Sequence, residues 1–202
     1  IKIIYNGIEF IKTDYQKSFD KLSREFSIKK DQRIILFVGS GFKRKGVKEF
    51  LQIISLLETK NIMAFVVGKE NHMSYYKNLS KNLKIDGVTF FTGPRADVND
   101  FYMISDIFLF PTHYDPFSNV VLEAMYFKNA VFTTSSNGAS EILDDDFIMD
   151  KPNDQKTIKL IDNLLMNKLN LEKEKEKNNR TSKQFSIEEN LMKTLEAIRE
   201  ID

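Results

Sequence analysis

From Arg33 onward the apolar residues alternate between two patterns. Continuous short runs predict buried strands: Ile34-Ile35-Leu36-Phe37-Val38, Met63-Ala64-Phe65-Val66-Val67, Val88-Thr89-Phe90-Phe91, Ile107-Phe108-Leu109-Phe110 and Ala130-Val131-Phe132-Thr133. Phe147-Ile148-Met149 predicts a small sixth. Between them, apolar residues at helical spacing predict helices, clearest at Val47, Phe50, Leu51, Ile54 and Leu57. A weaker helix is expected over His72 to Leu83, and a short one after Asp97, capped by its side chain and carrying Val98, Phe101 and Ile104. Another starts near Ser118, with Val121, Leu122 and Met125 on one face, and Gly138 to Leu143 reads as a short helical turn. Strands without strict polar alternation, separated by helices, predict a parallel sheet covered on both faces, that is, a doubly wound α/β domain.

The flanks read differently. Ile1 to Tyr5 is strand-like and ends at the turn signal Asn6-Gly7. Tyr15 to Phe26 fits a helix, but 1–31 as a whole reads as a connecting arm outside the core. After Pro152, Ile158, Ile161, Leu164 and Leu165 mark a helical face, Glu172 to Lys177 is an alternating charge run expected to be solvated, and Ser186-Ile187-Glu188-Glu189 is a capping box opening a last helix.

Composition narrows the function classes. The chain has 202 residues with 30 Lys+Arg against 29 Asp+Glu, so bulk charge argues for neither nucleic acid nor an acidic membrane surface as partner. Cysteine is absent, which excludes disulfides, thiolate metal sites and cysteine nucleophiles. No apolar run approaches the roughly 20 residues of a membrane helix, and no signal peptide is visible. Opening on Ile rather than Met, the chain reads as part of a longer protein.

The unusual segments fall on one edge. In open parallel sheets ligands bind at the carboxyl ends of the strands. There lie Gly39-Ser40-Gly41-Phe42-Lys43-Arg44-Lys45-Gly46, Gly68-Lys69-Glu70, Thr92-Gly93-Pro94-Arg95, His113 to Asn119, and Thr134 to Gly138. The first loop matches neither GxGxxG nor GxxxxGK[ST], so neither a dinucleotide fingerprint nor a P-loop is supported. It does let a ligand approach the backbone and supplies Arg44 and Lys45, cations suited to phosphate but unfavourable at a helix start. The segment after the fourth strand offers a helix N-terminus that attracts anions, flanked by two carboxylates, Asp115 and Glu123, suited to hydroxyls. A nucleotide sugar fits that layout; an ordinary helix start with acidic neighbours fits it as well. Arg95 could stack on a base, pair with an anion, or be a surface residue. His113 reads as structural, Glu141 as a first-turn residue, and Asp144-Asp145-Asp146 as a solvated turn rather than a metal site.

Together, Phe37-Val38-Gly39, Arg44-Lys45-Gly46, Gly93-Pro94-Arg95, Ser105 to Thr112, Asp115 with Glu123-Ala124, and Asn137-Gly138 with Glu141-Ile142 resemble the donor-binding C-terminal half of family 4 (group 1) retaining glycosyltransferases of the GT-B fold. The glycine loop is especially similar to that of lipopolysaccharide core glucosyltransferases. The resemblance implies a metal-independent transfer of a hexose from a nucleotide sugar, UDP-hexose above all, to a glycan or lipid-linked glycan of the bacterial envelope, with no cofactor beyond that donor. It implies that Arg44 and Lys45 hold the diphosphate, that Glu123 takes the ribose, that Asp115 takes the hexose, and that Arg95 lies near the base. Gly39 and Gly41 admit the donor, and the backbone of Phe117, Ser118, Asn119 and Val120 meets sugar and phosphate. Asp115 stands where the family's motif begins with Glu, one methylene longer. It further implies three parts: 1–31 as the connection from an N-terminal domain carrying the acceptor site, 32–180 as the nucleotide-sugar-binding domain, and 181–202 as a helix crossing back. The implied location is the cytoplasm, with room for peripheral association at the inner face of the inner membrane, and the isolated fragment is expected to be inactive. The alternatives are another GT-B enzyme (an epimerase or phosphorylase) and a non-enzymatic doubly wound binding module.

Overall fold

A computed structural model describes residues 3–200. Six strands form one parallel sheet in the order β3-β2-β1-β4-β5-β6: β1 Arg33–Val38, β2 Ile62–Val67, β3 Thr89–Gly93, β4 Ile107–Phe110, β5 Ala130–Thr134 and β6 Ile148–Met149. From β1 the chain steps outward one way to β2 and β3, then returns beside β1 and steps the other way. Right-handed crossovers therefore put helices on both faces. The crossovers are α3 Val47–Leu56, α4 Met73–Asn82, α5 Val98–Ile104 and α6 Asn119–Tyr126, with a single turn, α2 Phe42–Lys45, ahead of α3. All five predicted main strands and the small sixth form, as do the four crossover helices and the 3-10 turn Gly138–Ile142.

The core is unusually rich in phenylalanine. Phe37, Phe65, Phe108, Phe110 and Phe132 are fully buried on the sheet, and Phe101 of α5 joins them through edge-on ring contacts with Phe65 and Phe26. Fully burying one such ring contributes about 2 to 3 kcal/mol.

Two expectations about the flanks are corrected. Helix α1 forms over Tyr15–Phe26, but it is not part of a free arm: Leu22 is fully buried, Phe19 nearly so, and the helix packs on α5. A narrow apolar stripe on a charged helix suffices to cover that side of the sheet. The opening strand does not form across Ile3 to Tyr5 (Ile1 and Lys2 lie outside the described residues); instead Ile8 makes a single parallel bridge to Ser186. The charge run 172–177 is helical and mostly exposed, as expected, on α8 Lys168–Ser182, which follows α7 Gln155–Met166 and packs on α6 and β5 through other residues. Leu171 is fully buried, and Asn178 and Asn179 are buried while donating to the carbonyls of Asn129 and Tyr126. Polar side chains, invisible to hydrophobic periodicity, carry that contact. The last helix, α9 Ile187–Arg199, is capped by Ser186 through the Glu189 N–H at 3.0 Å, as expected from the box.

Candidate functional site

Strands β1 and β4 are neighbours whose connections leave in opposite directions, which opens a crevice at their carboxyl ends. The loops after both strands meet there. The carbonyl of Arg44 accepts the His113 N–H at 2.9 Å and the Thr112 hydroxyl at 3.2 Å, while the Arg44 guanidinium donates to the Tyr114 carbonyl at 2.9 Å. The Lys45 ammonium forms an ion pair with the Asp115 carboxylate and sits 5.2 Å from the centre of the Phe110 ring. The side chains of that pair are only 14% and 8% exposed. Gly46 permits this closeness. Its φ is +80°, and a Cβ there would collide with the Pro111 carbonyl. Arg44 and Lys45 of the glycine loop are therefore fixed against the acidic turn.

A third loop holds the turn from below. Asp115 bridges Asn137: its N–H donates to the Ser136 carbonyl at 3.1 Å, and its own carbonyl accepts from Gly138 at 3.0 Å. Asn137 is fully buried. Its Oδ1 accepts from the N–H groups of Ser118 (3.3 Å) and Ala139 (3.1 Å), and its amide nitrogen donates to the Thr133 hydroxyl at 2.9 Å. A Cβ on Gly138 would overlap the Pro116 carbonyl. Asn137 is the positioning residue that the pattern of apolar positions missed; an Asn-Gly pair at a strand end was its only local signal.

Ser118 occupies the N-cap position of α6, but its side chain forms no cap bond. Its Oγ is buried without a partner. The first N–H groups of any helix lack intrahelical acceptors, so this end carries unpaired donors and the positive end of the helix dipole beside Arg44 and Lys45. The chain's opening stretch lies against it: Tyr5 packs on Phe117 with ring centres 5.4 Å apart and donates to Glu141 at 2.6 Å, and Asn6 donates to the Asn119 side chain at 3.0 Å.

One turn further on, Glu123 is mostly buried and accepts the hydroxyl of fully buried Tyr102 at 2.9 Å. Burial raises its pKa, and the Tyr102 hydrogen bond opposes the rise. It borders a cavity of about 260 Å³ with Gly7, Ile8 and Asn119.

Arg95 is engaged by its own chain. It forms two hydrogen bonds to Glu25 of α1, at 2.7 and 2.8 Å, and two to Asp97, at 2.8 and 2.9 Å, and lies 5.4 Å from the Phe101 ring centre. Contrary to expectation, Asp97 does not cap α5 with its side chain; its carboxylate turns to Arg95 and is held well below the usual carboxylate range. His113 pairs with Glu49 at 3.3 Å, and in the 144–146 turn Asp144 pairs with Lys177 and Asp146 with Lys156. Among the described residues no group of three or more acidic or histidine side chains is placed to hold a metal, and no helix is long and apolar enough to cross a membrane.

A parallel sheet in this order, with a cation-bearing loop facing a helix start at the switch point, is a Rossmann-like domain that matches one half of GT-B glycosyltransferase structures. It superposes on the structure of Anabaena Alr3699/HepE in complex with UDP and glucose with a TM-score of 0.87, at 17% identity, over 98% of this chain and 57% of that one. The chain belongs to the group 1 glycosyl transferases, whose family profile matches residues 18–184. Among its relatives, the capsular polysaccharide biosynthesis glycosyltransferase CapM of Staphylococcus aureus is 32% identical over 142 residues, 66% of this chain and 36% of CapM. The lipopolysaccharide glucosyltransferase WaaG of Escherichia coli K12 is 32% identical over 122 residues, 58% of this chain and 32% of WaaG. The chain thus spans about a third of the length of these relatives.

Proposed function

We propose that this chain is the donor-binding part of a retaining glycosyltransferase that moves a hexose from UDP-hexose to a bacterial envelope glycan of the lipopolysaccharide core or capsule type. The observation that carries the reading is the convergence of Arg44, Lys45, Asp115 and the N-terminus of α6 at the β1/β4 crevice. In this reading the diphosphate lies between the two cations and the N–H groups of Phe117 to Val120, where Gly39 and Gly41 leave room. Glu123 accepts from the ribose hydroxyls and Asp115 from the hexose. When UDP departs, Arg44 and Lys45 offset the charge growing on its phosphate, which lets transfer proceed without a metal or other cofactor.

The Lys45–Asp115 pair gives this site a particular economy. Both groups are already desolvated, so a donor entering between them exchanges one partner for another and does not strip water from two bare charges. The Asp115 carboxylate, shorter than Glu by a methylene, is reached by the hexose only if the sugar sits close to the turn. Arg95 has four of its N–H contacts committed to Glu25 and Asp97, so its part is to shape the wall near the base.

The acceptor site belongs to an N-terminal domain that residues 1–31 connect to, while residues 32–180 bind the donor and 181–202 cross back to that domain. On this view the exposed Ile187, Leu191, Leu195 and Ile198 of α9 face the partner domain. The whole enzyme works in the cytoplasm, with peripheral contact at the inner membrane where its acceptor is lipid-linked. Calorimetry tests the donor reading: UDP binds the chain, and Arg44→Ala weakens it about tenfold or more, as loss of a charge-assisted phosphate contact should. An intact fold that takes up no UDP or UDP-sugar contradicts it.

A further inference from the structure

A second cavity lies away from the crevice. About 870 Å³ in volume, it lies at the opposite, amino-terminal edge of the sheet, between the 11–19 stretch, the start of β1, the end of α6 and one side of α8. That volume is in the range that takes a small organic ligand.

Its walls are strongly basic. Seven cationic side chains face three carboxylates there, a local net charge of +4 in a chain whose total is +1. The three carboxylates are already used. Asp106 meets Arg33 at 3.4 Å and Lys175 at 3.5 Å, Glu172 also meets Lys175, and Glu176 meets Lys128 at 2.6 Å. Lys12, Lys30, Lys168 and Lys183 form no direct ion pair among the described residues, and Lys183 feels Glu176 only at longer range. These four exposed cations, from three separate segments, line one cavity and give it a positive rim that an anion would complement. The floor is the reverse in character: Tyr15, Phe19, Ile104 and Phe127 contribute apolar and aromatic surface.

We infer that this cavity binds an organic phosphate, its anionic group met by the lysine rim and its apolar or aromatic body laid on the floor. A bare inorganic anion would leave the floor unused, and a neutral apolar molecule would leave the four lysines unpaired. Two sources supply such chemistry, the phosphate of a membrane lipid and a soluble nucleotide, and the test separates them.

The chain, labelled with nitrogen-15, is titrated with dihexanoylphosphatidic acid kept monomeric, with AMP, and with inorganic pyrophosphate, following backbone amides by NMR. One of the two organic phosphates is expected to shift the amides of Arg33, Ile104 and Phe127 saturably. Pyrophosphate should bind there at least tenfold more weakly. The double variant Lys168→Gln, Lys183→Gln changes only exposed side chains and should weaken binding at these amides about threefold or more. Saturation by the lipid assigns the cavity to a membrane lipid, and saturation by AMP assigns it to a soluble nucleotide. No saturable shift with either, shifts confined to Gly41 and Ser118 at the other edge, equal binding of pyrophosphate, or an unchanged double variant would overturn the inference.

Discussion

The two carboxylates of the crevice sit eight positions apart and are held in opposite ways. Asp115, in the turn before α6, is paired with a cation in a water-poor pocket. Glu123, within α6, has no cation; it is buried against a neutral phenol, which leaves its ionised form disfavoured. A turn tied to the loops after β1 and β5 holds the first, and a regular helix holds the second. The contrast teaches that a ligand has to displace an existing ion pair to use Asp115, but only has to offer hydrogen-bond donors to use Glu123.

The sharpest way to break this contrast is to remove one member of the ion pair. Asp115→Ala leaves Lys45 confined without a counter-charge and should lower stability by about 3 kcal/mol, read from urea unfolding; Lys45→Ala added on top should restore part of it, since the stranded charge is then gone. Next in size is the backbone that supports the turn. Gly46→Ala places a Cβ against the Pro111 carbonyl at a positive φ and should cost about 2 kcal/mol or more, with UDP affinity falling alongside because Arg44 and Lys45 move.

Tyr102→Phe sharpens the other half. It removes the one hydrogen bond that favours ionised Glu123, so that residue's pKa rises further. A raised carboxylate pKa stabilises the fold below the ordinary Glu value, and that contribution is lost as pH rises through the folded value. Ribose hydroxyls donate, so they need the ionised form. UDP affinity should therefore increase with pH through the Glu123 transition, and in the variant that transition should move to higher pH, as calorimetric titrations across pH would reveal. The smallest effect is expected at the wall. Arg95→Ala should cost about 1 kcal/mol near neutrality, as partly exposed ion pairs do, and lower UDP affinity less than Arg44→Ala. Asp97 is held low chiefly by Arg95, so its contribution is present above the ordinary Asp value and lost as pH falls. The stability gap between Arg95→Ala and the parent should narrow in acid.

Much of this architecture was legible in the apolar pattern. The main strands and crossover helices follow from unbroken runs and helical spacing, and the edge bearing the site follows from where glycines and cations cluster. The glycine loop and the Asp115 turn were both picked out from sequence, and the structure brings them into contact. What stayed hidden is which partners the fold brings together. Asn137, Asn178 and Asn179 act through buried hydrogen bonds to backbone or hydroxyl groups, which leave no trace in hydrophobic periodicity. The engagement of Arg95 with Glu25 spans 70 positions, and α1 joins the core through Phe19, Leu22 and Phe26 on an otherwise charged surface. Composition averaged over a segment cannot show such contacts; only the tertiary fold brings their partners together.

The account rests on where a diphosphate goes, and a crystal structure of the chain with UDP tests that most directly. The β-phosphate should lie about 3 Å from backbone N–H groups at the start of α6 and within reach of Arg44 and Lys45, with the Lys45–Asp115 pair opened or shared and the ribose hydroxyls on Glu123. UDP bound elsewhere, or a crevice left empty with the ion pair intact at saturating UDP, would contradict it.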